Sequence, residues 1–179
     1  MSEKNSILDV IKSRNSVRKF SNKKVSDEDL NAVLEAARLA PSGTNKQPWH
    51  FIIIKNKDTQ HQIADLMPWC RFIKNAPIAI AVVVREKSMW AILDGAIAVT
   101  HMTLEAAARG LGTCWCASWP NLGKKPELEQ KIKNILGIPE KLQSKTKIIT
   151  ITPLGHPIPE GITETKRKDL SKIVHYEKF

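Results

Sequence analysis

A chain of 179 residues with 42% hydrophobic and 26% charged content can fill one core, and its composition excludes a disordered, collagen-like or disulfide-scaffold protein. The formal net charge of +10 admits a nucleic acid, an acidic membrane or a phosphorylated small molecule as partner and by itself selects none of them. The three cysteines, Cys70, Cys114 and Cys116, are too few and odd in number for a disulfide framework, and residues 1–5 open no apolar export signal, so a reducing cytoplasm is expected.

In chain order, Ser6 followed by Asp9 resembles a capping box, and Ile7, Leu8, Val10 and Ile11 give a short amphipathic helix running into Arg14. Ser16-Val17-Arg18-Lys19-Phe20 then predicts an extended segment. A second box, Ser26 to Asp29, opens a helix in which Leu30, Val33, Leu34, Ala37 and Ala40 repeat at helical spacing until Pro41. The loop Pro41-Ser42-Gly43-Thr44-Asn45-Lys46-Gln47-Pro48 suits neither helix nor strand. Pro41 ends the helix, Gly43 allows positive φ, and Ser42, Thr44 and Asn45 can bond their own backbone. Asn45 and Gln47 each offer an amide donor and a carbonyl acceptor, a pair able to read a planar heterocycle; a plain helix-to-strand connector accounts for the loop equally well.

Residues 49–54 predict a buried strand, 59–67 a short helix and 78–84 a second strand. From about Lys87 to Arg109 the pattern is a helix apolar on nearly every side and rich in small residues. Asp94, His101, Glu105 and Arg109 argue against a membrane span. Such a helix has to be wrapped all round, which in a small chain points to a partner subunit. Gly110-Leu111-Gly112 ends it, residues 113–117 continue as a short strand or loop, 126–136 form a helix and 146–152 a strand. Pro153, Gly155, Pro157, Pro159 and Gly161 predict an irregular loop, and residues 170–179 a short helix or an edge strand.

No glycine-rich nucleotide fingerprint and no phosphate-binding G-x-x-x-x-G-K-[ST] loop is present. Cys114 and Cys116 lack the second pair that would complete a tetrahedral metal site, so buried packing is expected of them. His50, His101 and His156 show no catalytic spacing. Arg14, Ser16 and Arg18 make a stronger case, because alternate residues of an extended segment point the same way and two guanidiniums with a hydroxyl can converge on a phosphate. A solvated basic helix end explains that cluster in isolation, as a charged tail explains Lys166-Arg167-Lys168. The remaining lysines are scattered, so neither nucleic acid nor membrane is expected as a partner.

Four motifs occur in order: Arg14-Asn15-Ser16-Val17-Arg18-Lys19-Phe20, Ala40 through Trp49, Gly110-Leu111-Gly112-Thr113-Cys114-Trp115, and Arg167-Lys168. Together they resemble the FMN-dependent nitroreductase family. The resemblance implies an α+β fold with a central, mostly antiparallel sheet flanked by helices, one domain over residues 1–179, and an intertwined homodimer with FMN at the subunit interface. By matching position, Arg14 and Ser16 would hold the FMN phosphate and ribityl chain, with Arg167 and Lys168 closing on the phosphate. Asn15, in the same motif, stands where many relatives carry a second arginine. Arg18 would face the flavin N1 and O2 edge, where an always-charged guanidinium favours the negative charge left by reduction. Pro41, Ser42, Gly43, Asn45 and Gln47 would come from the other subunit, and Cys114 and Trp115 would line the ring. The implied activity is ping-pong hydride transfer from NAD(P)H to a small electron-poor acceptor such as a nitroaromatic or quinone. A flavin-binding or regulatory protein without turnover, or specialised flavin chemistry, is the alternative.

Overall fold

The structure, a computed structural model, describes residues 6–86, 89–119, 122–161 and 165–179. Residues 1–5 and the expected helix start at Lys87 lie outside them. Ser6 Oγ accepts from Asp9 N at 3.2 Å and the Asp9 carboxylate accepts from Ser6 N at 3.0 Å, so the box closes and opens α1 (Ile7–Ser13). Ser26 likewise caps α2 (Asp27–Arg38), accepting from Asp29 N at 3.0 Å. The chain continues through β1 (Trp49–Ile54), α3 (Lys57–Leu66), β2 (Ile78–Arg85), α4 (Ala91–Ala108), β3 (Gly112–Thr113), α5 (Pro126–Ile135), α6 (Glu140–Gln143) and β4 (Thr146–Gly155).

The four strands pair antiparallel in the order β1-β2-β4-β3. The α+β architecture expected from the sequence is therefore present. Helices cover both faces. Ile78, Ile80, Val82 and Val84 of β2 pack with α2 and α4, while Ala79, Ala81 and Val83 turn to α3 and α5. A register shift between Val82 and Val83 admits an extra residue on β4, so Ile148 and Ile151 lie in the same core layer and Ile149 in the other.

Two expectations need correction. Pro153 and Gly155 belong to β4 rather than to a loop. The short β3 faces only Leu154 and Gly155, so Pro153 lies beyond its end, where the sheet demands no amide hydrogen from it. Residues 170–179 form neither a full helix nor an edge strand: a single 3-10 turn, Leu170–Lys172, precedes exposed chain carrying Ile173, Val174, Tyr176 and Phe179. The 3-10 segment Pro68–Asn75 and the short α6 had no periodic signal to announce them.

The basic segment after α1 is extended without being a strand. It is stitched between β3 and the chain beyond β4: Val17 N donates to Thr113 O at 2.8 Å, and Ser21 N to His156 O at 2.9 Å. Val17 is buried against Gly112, where an added Cβ would stand 2.7 Å from the Val17 Cβ. Gly112→Ala is therefore expected to lower stability by about 1–3 kcal/mol, read as a lower urea midpoint. An unchanged midpoint would mean that the segment is not clamped there.

Along α4 the face toward the sheet is buried (Gly95, Ala98, Val99, Met102), but Leu93 and Ile97 stay exposed, as do Met89 and Trp90 before it. The single chain does not wrap this helix completely. No helix among the described residues is long and apolar enough to cross a membrane.

Candidate functional site

Two groups of the residues singled out by sequence lie at opposite ends of α4. The first is basic. Arg14 ends α1 and, with Asn15, Ile11, Lys12, Thr165 and Arg167, lines a hollow of about 590 Å³. The two ends of the chain thus bring guanidiniums to one cavity, with an amide side chain beside them, a donor set suited to a phosphate. Asn15 is held in place by its amide, which donates to Ser13 O at 2.9 Å. Lys168 is exposed and does not line this hollow.

Val17 is buried between Ser16 and Arg18, and Arg14 and Ser16 are half-buried beside it. Arg14, Ser16 and Arg18 all act on Cys114. Its thiol is held below the ordinary range first by a hydrogen bond from Cys116, then by the Arg18 charge, a hydrogen bond from Ser16 and the Arg14 charge, against the opposing effect of burial. Arg18 itself is exposed, its guanidinium 5.8 Å from the centre of the Phe72 ring. Trp115, next to Cys114, is 40% exposed and available to a ligand.

The second group is the amide loop, tied to the first turn of α4. Gly43 N donates to Asp94 Oδ1 at 3.0 Å, and Gln47 N donates to Ser42 Oγ at 3.0 Å. Gln47 Nε2 donates to Asn45 Oδ1 at 3.0 Å. Both residues are exposed, and that last bond does not use the Asn45 amide hydrogens or the Gln47 carbonyl, a donor and an acceptor. Pro41 is exposed and Ser42 half-buried at the loop's entry.

Positive φ occurs in this loop at Thr44 (50°), Asn45 (55°) and Gln47 (46°), not at Gly43. Three non-glycine residues in the left-handed region mark a shape imposed by its anchors. Gly43 is required for a different reason: a Cβ there would meet Trp90 Cδ1 at 2.8 Å.

Sequence reasoning missed Asp94 as the loop's anchor, reading it only as an argument against a membrane. It is 3% exposed, and its Oδ2 has no hydrogen-bond partner among the described residues. A buried carboxylate at the head of an apolar helix was the available signal. Phe72 under Arg18, and Cys70 behind Cys116, were likewise invisible, because neither contact is local in sequence.

The amide loop and the basic hollow do not meet within one chain. Asp94 lies in the first turn of α4, while Ala107 and Gly110 at its far end line the cavity beside Arg14 and Asn15. At about 1.5 Å per residue the two sites are roughly 20 Å apart along the helix.

Comparison with known proteins gives the following. The family model described as "Nitroreductase family" matches residues 11–70 and 66–156. A provisionally named NADH dehydrogenase/NAD(P)H nitroreductase of Archaeoglobus fulgidus is 31% identical over 159 residues, covering 86% of each chain. The solved structure of a nitroreductase with bound FMN from Bacteroides fragilis superposes with a TM-score of 0.77 at 28% identity, covering 97% of this chain and 100% of that one. An iodotyrosine deiodinase of Thermotoga neapolitana is 25% identical over 176 residues, 84% of this chain and 88% of its own.

Proposed function

The chain belongs to the nitroreductase family, and on that premise we propose that it is an FMN-dependent oxidoreductase, one unit over residues 1–179, acting as a homodimer. It takes hydride from NAD(P)H and passes it to an electron-poor acceptor such as a nitroaromatic or a quinone. The observation that carries this reading is the hollow lined jointly by Arg14, Asn15 and Arg167. Two guanidiniums from opposite ends of the chain, with little acidic residue around them, suit a phosphate monoester such as that of FMN.

FMN, when bound, supplies the two-electron chemistry itself, so no side chain is required as acid or base. The chain's own residues position and tune. Arg14 and Arg167 hold the phosphate, with Ser16 and Lys168 at its margin. Arg18 keeps a permanent positive charge where a reduced ring carries negative charge. Asn45 and Gln47, with Pro41, Ser42 and Gly43 fixing their loop, present one donor and one acceptor to the edge of a planar ring. Cys114 and Trp115 border the same space.

Those amides serve the neighbouring chain's phosphate hollow, because within one chain the two sites are roughly 20 Å apart. A two-fold pairing that sets α4 against its copy brings the first turn of one helix toward the far end of the other. Apolar side chains left exposed on and before α4 (Met89, Trp90, Leu93, Ile97) and on the C-terminal tail (Leu170, Ile173, Val174, Tyr176, Phe179) support such a pairing. Free thiols at Cys70, Cys114 and Cys116 fit a reducing cytoplasm.

The test is anaerobic addition of NADH or NADPH to the FMN-loaded protein, followed by menadione, a nitrofuran or, given the deiodinase relative, a halotyrosine. The visible flavin absorbance is expected to bleach with one of the nicotinamides and to return with an acceptor. A firmly bound flavin that neither nicotinamide bleaches would favour a binding protein without turnover. Failure to take up FMN would remove the reading altogether.

A further inference from the structure

The side of the sheet away from α2 and α4 carries a cavity of about 340 Å³ that shares no lining residue with the phosphate hollow or the amide loop. Its floor follows from the strand register. His50 pairs with Val83 and Ile52 with Ala81, so His50 and Ile52 of β1 stand on the same face as Val83 and Arg85 of β2. Thr146 of β4 lies opposite Arg85. The roof is the turn between α5 and α6. Gly137, at φ 66°, reverses the chain there, with Ile138 N donating to Lys133 O at 3.0 Å and Gly137 N to Asn134 O at 3.0 Å. Those bonds use carbonyls at the end of α5, and Leu136, Ile138, Pro139 and Leu142 supply the lining.

Against these aliphatic walls stand two nitrogen-bearing side chains. Arg85 is half-buried, and no ion pair among the described residues engages its guanidinium. His50 lies diagonally across the strand pair from it, a separation of about 7–8 Å that a long side chain spans. Burial first and the Arg85 charge second hold the His50 imidazole below its ordinary range, so at neutral pH it is an uncharged ring with one N–H to donate. Glu129, the buried carboxylate of α5, does not compensate Arg85: it pairs with Lys133 at 3.3 Å and accepts from Ile148 N at 3.2 Å. Glu86 and Glu140, the acidic residues next in sequence to Arg85 and Pro139, are exposed. A half-buried guanidinium at an apolar cavity, without a counter-charge, is completed by an anion.

We propose that the cavity binds a small monocarboxylate with an aliphatic body, the carboxylate against Arg85 and His50 and the hydrocarbon against Ile52, Val83, Ile138 and Leu142. A carboxylate matches the guanidinium fork with two parallel hydrogen bonds, and His50 adds a donor from the neighbouring strand. The volume lies near the lower end of ligand pockets, which suits a chain of a few carbons rather than a cofactor. Apart from the imidazole no aromatic ring lines the space, so nothing there favours an arene over an alkyl chain.

The probe is hexanoate, titrated at neutral pH into the isotope-labelled full chain and followed by backbone amide NMR. Saturable shifts are expected at Ile52, Val83, Gly137 and Leu142. Hexanamide and hexylamine, which keep the chain without the negative charge, are expected to bind at least about tenfold more weakly, and acetate, which keeps the charge without the chain, likewise. Arg85→Gln, its folding checked by thermal melting, is expected to lose about tenfold or more in hexanoate affinity. Hexanamide binding as tightly as hexanoate, shifts centred on other residues, or no saturable shift at all would each overturn the proposal. The comparison of probes on the unmodified chain decides the matter even if the variant does not fold.

Discussion

Replacing Arg14 with glutamate is expected to weaken FMN binding by about a hundredfold or more, while riboflavin, which lacks the phosphate, binds within about twofold of its original affinity. Arg14 is half-buried at the C-terminal end of α1 and lines the hollow with Arg167. Removing charge-assisted hydrogen bonds there costs about 1.5–3 kcal/mol, and a carboxylate in the same place adds repulsion against the phosphate. Since each 1.4 kcal/mol is about tenfold in affinity, the loss reaches roughly two orders of magnitude. The comparison between the two flavins is the informative part. Arg14 is also close enough to Cys114 to influence it, so a general disturbance of the site would weaken both ligands together. Fluorescence titration of flavin-free protein with each ligand separates the cases: equal losses would mean that Arg14 supports the pocket without reading the phosphate.

What sequence could tell about this fold follows the range of the interactions involved. The capping residues Ser6 and Ser26, the helical repeat from Leu30 to Ala37 and the apolar runs of β1 and β2 are local or periodic signals, and each element formed where they pointed. Pro153 misled for the same reason. A proline and glycine pair reads locally as a break, whereas the sheet tolerates Pro153 because β3 is too short to face it. Gly43 was assigned a loop glycine's usual duty of positive φ. Its actual constraint is Trp90, a residue far along the chain that occupies the space a Cβ would need.

The site divides in the same way. Arg14, Ser16 and Arg18 stood out in sequence because alternate residues of an extended backbone point the same way, and all three are near enough to act on Cys114. The gathering of Arg14 and Arg167 at one hollow came from the family resemblance rather than from any spacing rule, since two distant basic clusters are each ordinary surface when taken alone. Asp94 was out of reach, because its bond to Gly43 depends on long-range packing of the loop against α4.

The measurement that tests the account most directly is a subunit complementation. One chain carries Arg14→Glu and is expected to lose the phosphate hollow; the other carries Asn45→Asp with Gln47→Glu, which places two carboxylates where the amide donor and acceptor stood. Each is expected to bind little FMN alone. Denatured and refolded together in equal amounts, they form mixed dimers in which one site holds both faults and the other holds none. Random two-fold pairing then restores FMN binding at about one quarter of all sites, with the affinity of the unmodified protein. Recovery no greater than the two parents show separately would contradict the shared site and return the amide loop to its own chain.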